Sequence, residues 1–170
     1  MGSATKSVTA ICLLSLALPC LSAGGQQDTG NTPAATGFFQ LSTAQLKSYE
    51  ASLKPRMNQY RQAAEQLGDF GNHTAWIAHR EADGLAEVHQ NWTDLMFVVS
   101  GNASLQVGGE IENPYVESPG ELRGARARGG VTRRLREGDV VNVPAGMQHR
   151  FLVPVGQQVT FFTMKIAAAR

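Results

Sequence analysis

The stretch GDVVNVPAGMQH, residues 138–149, carries the clearest local pattern in this chain of 170 residues. Gly138 permits a tight turn into an apolar segment, and Pro144 and Gly146 then reverse the chain. His149 follows at the start of the next apolar segment, so its side chain points toward one defined face of a strand. The pattern indicates two β-strands joined by a short, fixed turn.

Further short β segments lie on both sides of this stretch. They are rich in β-branched and aromatic residues, they are bounded by turn residues, and no helix separates them. A succession of this kind indicates an antiparallel sandwich or barrel. We therefore predict a single all-β domain over residues 74–166, with strands at 74–80, 85–90, 95–100, 104–107, 131–136, 140–143, 149–153 and 159–166.

Residues 138–149 resemble the second motif of the cupin superfamily. In that motif a glycine, five residues, Pro-x-Gly and two further residues precede a metal-binding histidine, and Gly138, Pro144, Gly146 and His149 all match. The resemblance implies a cupin-type antiparallel β-barrel, jelly-roll-like in its topology. It also implies that His149 binds a metal.

The family's first motif is present in an altered form. It pairs two histidines one residue apart, followed by a glutamate and then a glycine. Asp94 stands six residues before Gly101, which fits the last part with aspartate in place of glutamate. Counting back from Asp94 places His89 at the second histidine position and Glu87 at the first, while Glu81 occupies the place of the opening glycine.

Strand geometry supports the same four residues. Glu87 and His89 are two residues apart and share one face of a strand, and Asp94 lies across a short turn. Two imidazoles and two carboxylates suit Mn, Fe, Zn or Ni. We predict a divalent-metal site at Glu87, His89, Asp94 and His149, whereas His73 and His79 are interpreted as structural or exposed.

A substrate pocket is predicted around this site. Inward parity along the strands selects four apolar residues, and Asn91 shares the parity of His89 and is the alternative ligand. The arginines between 123 and 136 are interpreted as a solvated edge. In the alternative interpretation one of them, Arg123 or Arg133, points into the pocket and holds a carboxylate in bidentate fashion. The predicted pocket residues are Asn91, Met96, Arg133, Phe151, Phe162 and Met164.

Residues 108–130 form a long insertion with several glycines and two prolines. Long loops in compact domains are often functional, so this one is expected to close over the mouth of the barrel. Glu121 and Arg123 are its candidate lid residues.

The amino-terminal residues 1–23 have the composition of a secretory signal peptide, with an apolar run and small residues for cleavage near Ala23. Export to the periplasm or the exterior is therefore expected. A lipid anchor on Cys20 is disfavoured, because Pro19 is a poor fit to the small residue that such signals need.

Two segments separate this signal from the barrel. Residues 24–41 have the composition of a flexible tether. Residues 42–68 carry apolar positions at three- and four-residue steps, which predicts an amino-terminal helix that is kinked or split at Pro55.

Charge and composition limit the partners. Both cysteines and Lys6 fall inside the predicted signal, so the 15 basic residues become 14 against 14 acidic ones in the mature chain. A balanced charge argues against a nucleic-acid binder. No segment has the length of a membrane span, and the family's habit of pairing barrels suggests a homodimer.

The sequence supports two functions. The first is a metal-dependent cupin enzyme, of oxygenase, isomerase or decarboxylase type, that acts on a small oxygen-rich molecule. The second is a non-catalytic module that binds a small ligand in the barrel without metal. The sequence alone does not separate them.

Overall fold

The structure is a computed structural model, and it describes residues 37–169. Within this range a helix, α1 (Thr43–Leu53), and a 3-10 turn, Lys54–Arg56, precede the strands. The strands are β1 (Gln62–Asp69), β2 (His73–Arg80), β3 (Ala86–His89), β4 (Trp92–Val107), β5 (Glu110–Glu112), β6 (Tyr115–Ser118), β7 (Glu121–Gly124), β8 (Arg126–Arg128), β9 (Val131–Arg136), β10 (Val140–Val143), β11 (His149–Leu152) and β12 (Val159–Ala167).

Most of these strands form one strongly curled antiparallel sheet. They pair in the order β1-β2-β12-β4-β11-β3-β7-β6, and β9 and β10 pair with β4 as well. Strands β5 and β8 form a separate pair. The predicted all-β, antiparallel class is confirmed.

Strand β4 connects the two halves of the sheet. Its first half pairs with β10 and β12, and its second half pairs with β9 and β11. The predicted break between strands at 95–100 and 104–107 is wrong, because Gly101 adopts a φ of +80° inside a continuous strand. Val98 and Ser100 pair with consecutive residues of β12, so Val99 is an extra residue in a β-bulge.

The helix is shorter than predicted. Ser42 and Gln45 form a capping box at its start, and Pro55 falls in the 3-10 turn that follows. Asn58 then accepts hydrogen bonds from the backbone N–H groups of Tyr60 and Gln62, which turns the chain. The predicted continuation to residue 68 is wrong, because β1 pairs with β2 over that segment.

Two apolar clusters occupy the two faces of the sheet. Leu53 of α1 is fully buried against Ile77 and Val99, a burial that contributes about 1.5–3 kcal/mol to stability. Packed around these three are Leu46, Tyr49, Ala63, Leu67, Phe97 and Phe162. The cluster on the opposite face comprises Met96, Val98, Ala103, Leu105, Leu135, Val143, Phe151, Val153, Val159 and Phe161.

The insertion at 108–130 is not the long loop that was predicted. It folds into four short strands, and the outer two, β5 and β8, pair with each other. Between them, β7 pairs with both β6 and β3 and so extends the main sheet. This pairing places Glu121 and Arg123 on β7, the second strand from the edge of the sheet, beside the candidate site.

The predicted signal peptide and residues 24–36 of the predicted tether lie outside the described residues. The end of that tether contacts the sheet, because the ring of Phe39 stacks on that of Phe70 with centroids 5.5 Å apart. Among residues 37–169, no helix is long and apolar enough to cross a membrane.

Candidate metal centre

Strand register brings the candidate ligands together. His149 of β11 lies directly opposite Glu87 of β3, and Glu87 and His89 share one face of β3 because they are two residues apart. The Gly146 N–H donates to the backbone carbonyl of His89 at 2.9 Å, which ties the Pro-x-Gly turn to β3. The turn therefore positions His149 against the end of that strand.

Three of these side chains form a compact cluster. One oxygen of Glu87 and one nitrogen each of His89 and His149 all lie within 4.8 Å of one another. His149 Nε2 is 3.4 Å from Glu87 Oε1, and the two imidazole rings have centroids 5.2 Å apart. Both histidines are buried.

This cluster has the chemistry and the spacing of a metal site. Ligand bonds of about 2.0–2.2 Å place two ligands of one ion roughly 3.0–3.4 Å apart, and the observed 3.4 Å between Glu87 and His149 agrees. Imidazole nitrogen and carboxylate oxygen suit several divalent first-row metals. Glu87, His89 and His149 are thus positioned for metal binding.

The second nitrogen of each imidazole is held from outside the cluster. His89 Nδ1 donates to the carboxylate of Glu121, its opposite neighbour on β7. His149 Nδ1 lies 3.3 Å from the carbonyl oxygen of Met147. A proton on each Nδ1 is the arrangement that metal-binding histidines require, and each Nε2 can then exchange its contact with Asp94 for a metal ion.

Asp94 lies next to the cluster but already has a cation. Its Oδ2 is 3.4 Å from His89 Nε2 and 3.5 Å from His149 Nε2. Lys165, its opposite neighbour on β12, donates to both carboxylate oxygens at 2.9 and 3.2 Å. Burial alone would raise the pKa of Asp94, but the hydrogen bonds from the two histidines and the charge of Lys165 lower it well below its ordinary value.

Glu87 is paired with an arginine. Arg123, which lies opposite it on β7, forms an ion pair with Glu87 Oε2 and also donates to Glu117 at 2.9 Å. Burial and the nearby charge of Arg80 lower the pKa of Arg123 to about 10, so it remains a cation at neutral pH. The other oxygen of Glu87 faces His149.

The cluster forms part of the wall of a cavity of about 350 Å³. Its wall combines five charged or imidazole side chains of the candidate site with apolar side chains. Two further cations, Arg80 and Lys165, also line it. Besides Glu87, His89, Asp94, Arg123 and His149, it is lined by Asn58, Gln62, Ala63, Ala64, Trp76, Ala78, His79, Arg80, Met96, Phe151, Phe161, Thr163 and Lys165. Met96 and Phe151 are the predicted pocket residues found there.

The other predicted pocket residues lie elsewhere. Asn91 is exposed in the turn after β3, and Arg133 is exposed on β9. Phe162 packs with the cluster beneath α1, and Met164 is two residues further along the same face of β12. The prediction placed β12 one residue out of register: Asp94 pairs with Lys165, so Phe161, Thr163 and Lys165 face the cavity.

Two cations of the cavity wall were not predicted. Lys165 faces Asp94 only because β12 pairs with β4, and nothing in the local sequence gives that pairing. Arg80 stands at the end of β2, where alternation with Trp76 and Ala78 could have indicated its face.

Comparison with known proteins finds partial matches among solved structures. No protein-family model matches this chain, and no curated protein does. A cupin-2 domain from Rhodospirillum rubrum aligns at 13% identity over 65% of this chain and 62% of its own, with a TM-score of 0.47. The polyketide cyclase RemF from Streptomyces resistomycificus aligns at 15% identity over 62% of this chain and 65% of its own, with a TM-score of 0.46.

The DMSP lyase DddQ from Ruegeria pomeroyi aligns at 18% identity over 62% of this chain, with a TM-score of 0.46. The aligned segment spans 47% to 65% of the length of these three structures. The activities of these proteins are not assigned to this chain.

Proposed function

We propose that this chain is a metal-dependent enzyme of the cupin type that acts on a small oxygen-rich molecule. The observation that carries the proposal is the cluster of Glu87, His89 and His149 in the wall of a cavity of about 350 Å³. Two imidazoles and one carboxylate make a donor set that holds iron(II) in oxygenases and that also suits Mn, Zn and Ni.

The surrounding residues have defined roles in this proposal. A bound divalent ion would act as a Lewis acid toward a substrate oxygen. Glu121 holds the Nδ1 proton of His89, which orients Nε2 toward the cavity. Lys165 keeps Asp94 ionised next to both imidazoles, and the apolar part of the wall limits the access of water. Oxygenase, isomerase and decarboxylase chemistry are all compatible with this arrangement.

A second candidate is a small-ligand-binding module without metal. One observation favours it: Glu87 and Asp94 already pair with Arg123 and Lys165, so neither carboxylate needs an ion to balance its charge. In that case the same side chains would act only as hydrogen-bonding groups for a ligand.

Metal content separates the two candidates. We would purify the protein without chelator and measure Mn, Fe, Ni and Zn by mass spectrometry, in the wild type and in a His89→Ala/His149→Ala variant. His73→Ala is the matched control, because His73 lies on β2 away from the cavity wall. Near-stoichiometric metal in the wild type and the control, and none in the double variant, supports the enzyme.

A metal-free wild type whose melting temperature does not change on addition of any of the four metals supports the binding module, because a ligand that binds the folded state must stabilise it. With a metal identified, small oxygen-rich acids would be screened for metal-dependent turnover by mass spectrometry.

Export and pairing are also proposals, supported by the composition of residues 1–23 and by the family resemblance. Expression of the full chain in a bacterial host, followed by fractionation and mass measurement, tests cleavage near Ala23. Sedimentation of the mature chain tests the homodimer.

A further inference from the structure

Arg80 occupies an unusual place in the cavity wall. Alternation along β2 puts it on the same face as Trp76 and Ala78, both of which line the cavity. Its guanidinium lies over the ring of Phe151, 5.6 Å from the centroid. Gly84 makes room for it, because a Cβ at that position would lie 2.9 Å from Arg80 Nη1.

Arg80 has no anionic partner among residues 37–169. The two other cations of the wall, Arg123 and Lys165, each pair with a carboxylate. Arg80 forms no such pair in this range, and its Nε is buried without a hydrogen bond. Burial lowers the pKa of Arg80 to about 10, so the side chain is charged at neutral pH.

An unpaired guanidinium that is partly buried is costly, because the charge loses part of its hydration without gaining a partner. Proteins retain such groups where a ligand supplies the missing charge, and arginine is suited to bind a carboxylate through two parallel hydrogen bonds.

We propose that Arg80 binds the carboxylate of a small organic acid in this cavity. The inference rests on the proposed function and names its substrate class. His149 and Phe151 are two residues apart on one face of β11, about 7 Å. An acid held by Arg80 over Phe151 therefore extends along this face toward the cluster of Glu87, His89 and His149. A cavity of about 350 Å³ suits a ligand of that size.

A carboxylate fits the wall better than a phosphate does. Among residues 37–169, only one cation of the wall lacks a carboxylate partner, and it lies over Phe151 in a wall that also contains Ala78 and Phe161. One guanidinium matches the single charge of a carboxylate, and the apolar surface accommodates a hydrocarbon chain or ring. A doubly charged phosphate would need more donors.

The experiment compares acids with neutral analogues of the same shape. Binding of butyrate and benzoate, of butyramide and benzamide, and of inorganic phosphate would be measured by calorimetry on metal-free and on Zn-treated protein. We expect each acid to bind at least about tenfold more tightly than its amide in both preparations, because only the acid supplies the charge that Arg80 lacks.

Three variants test whether the preference for acids over amides depends on Arg80. Arg80→Gln removes the charge, and Gly84→Ala keeps it but displaces the guanidinium. Arg133→Gln is the control, since Arg133 is exposed and outside the cavity. The first two should each lose the preference for acids by about tenfold or more, and the control should keep it.

The outcomes are distinct from those of the metal test. Acids that bind no better than amides to the wild type overturn the inference, even if Arg80→Gln fails to fold. A preference that appears only with Zn and survives both Arg80→Gln and Gly84→Ala also overturns it, while leaving the metal site intact. Phosphate binding more tightly than either acid overturns the carboxylate assignment. An Arg80-dependent preference in metal-free protein supports the inference even if no metal binds.

Discussion

The buried histidines of this sheet fall into two groups that differ in what the second nitrogen of each ring contacts. His79, which shares the parity of Ile77 on β2 and also reaches the cavity wall, has Nδ1 2.8 Å from the Thr160 hydroxyl and Nε2 3.3 Å from Glu81. His89 and His149 have Nδ1 held from outside the cluster and direct Nε2 toward the carboxylates of the candidate site. All three rings are buried, so the direction of Nε2, and not burial, distinguishes the two groups.

Loss of either cavity histidine should have the largest effect. His89→Ala or His149→Ala removes a ligand, so we expect metal affinity to fall by at least about a hundredfold, more than the loss of an outer partner causes. Calorimetric titration with Zn and Mn measures it. If the metal affinity of these variants stays within a factor of three of the wild-type value, His89 and His149 are not metal ligands.

The second-largest effect that we expect is release of the metal at acid pH, because protons compete for both imidazole Nε2 atoms. Between about pH 7 and pH 5 we expect metal affinity to fall, because an imidazole binds a metal only in its neutral form. Metal content after dialysis at stepped pH records it, and full retention at pH 5 would speak against histidine ligands.

Asp94 does not contribute to this acid release. Its pKa is lowered in the folded state. The stability that it supplies is therefore present above about pH 4, the ordinary value for aspartate, and is lost only as pH falls further, toward the folded-state value.

Loss of the Glu121 carboxylate, the outer partner of His89, should lower metal affinity less than loss of His89 itself. Glu121→Gln keeps the size of the side chain but weakens the hydrogen bond that orients the ring. Metal affinity should fall by about 10- to 100-fold. Glu117→Gln, which changes an exposed partner of Arg123 on the neighbouring strand, is the matched control. Equal losses in the two variants would show that the effect is one of charge and not of orientation.

Replacement of His79 should leave the metal affinity unchanged. His79→Ala creates a cavity and removes one hydrogen-bond partner each from Thr160 and Glu81, so we expect about 2–4 kcal/mol of lost stability. Denaturant unfolding gives the stability, and metal titration of the same variant gives the affinity. A His79→Ala variant that folds normally but loses its metal would contradict the structural role assigned to His79.

The sequence predicted the residues whose placement depends on local spacing. Gly138, Pro144 and Gly146 set a turn of fixed length before His149, and the two-residue strand period put Glu87 and His89 on one face. The strands at 131–136 and 140–143 were found with their exact bounds.

Features that depend on pairing between distant strands were not predictable in this way. Lys165 was missed and Phe162 was assigned to the wrong face. The face of β12 is set by its register against β4, where Val99 forms a bulge. The segment after Pro55 was read as helix because its apolar positions also fit a strand paired with β2.

The most direct test of the metal centre is anomalous X-ray scattering from crystals grown with Mn or Zn. We predict one strong peak about 2.0–2.2 Å from Glu87 Oε1, His89 Nε2 and His149 Nε2. No peak at these atoms in the presence of excess metal, or a peak bound only by other residues, would contradict the account.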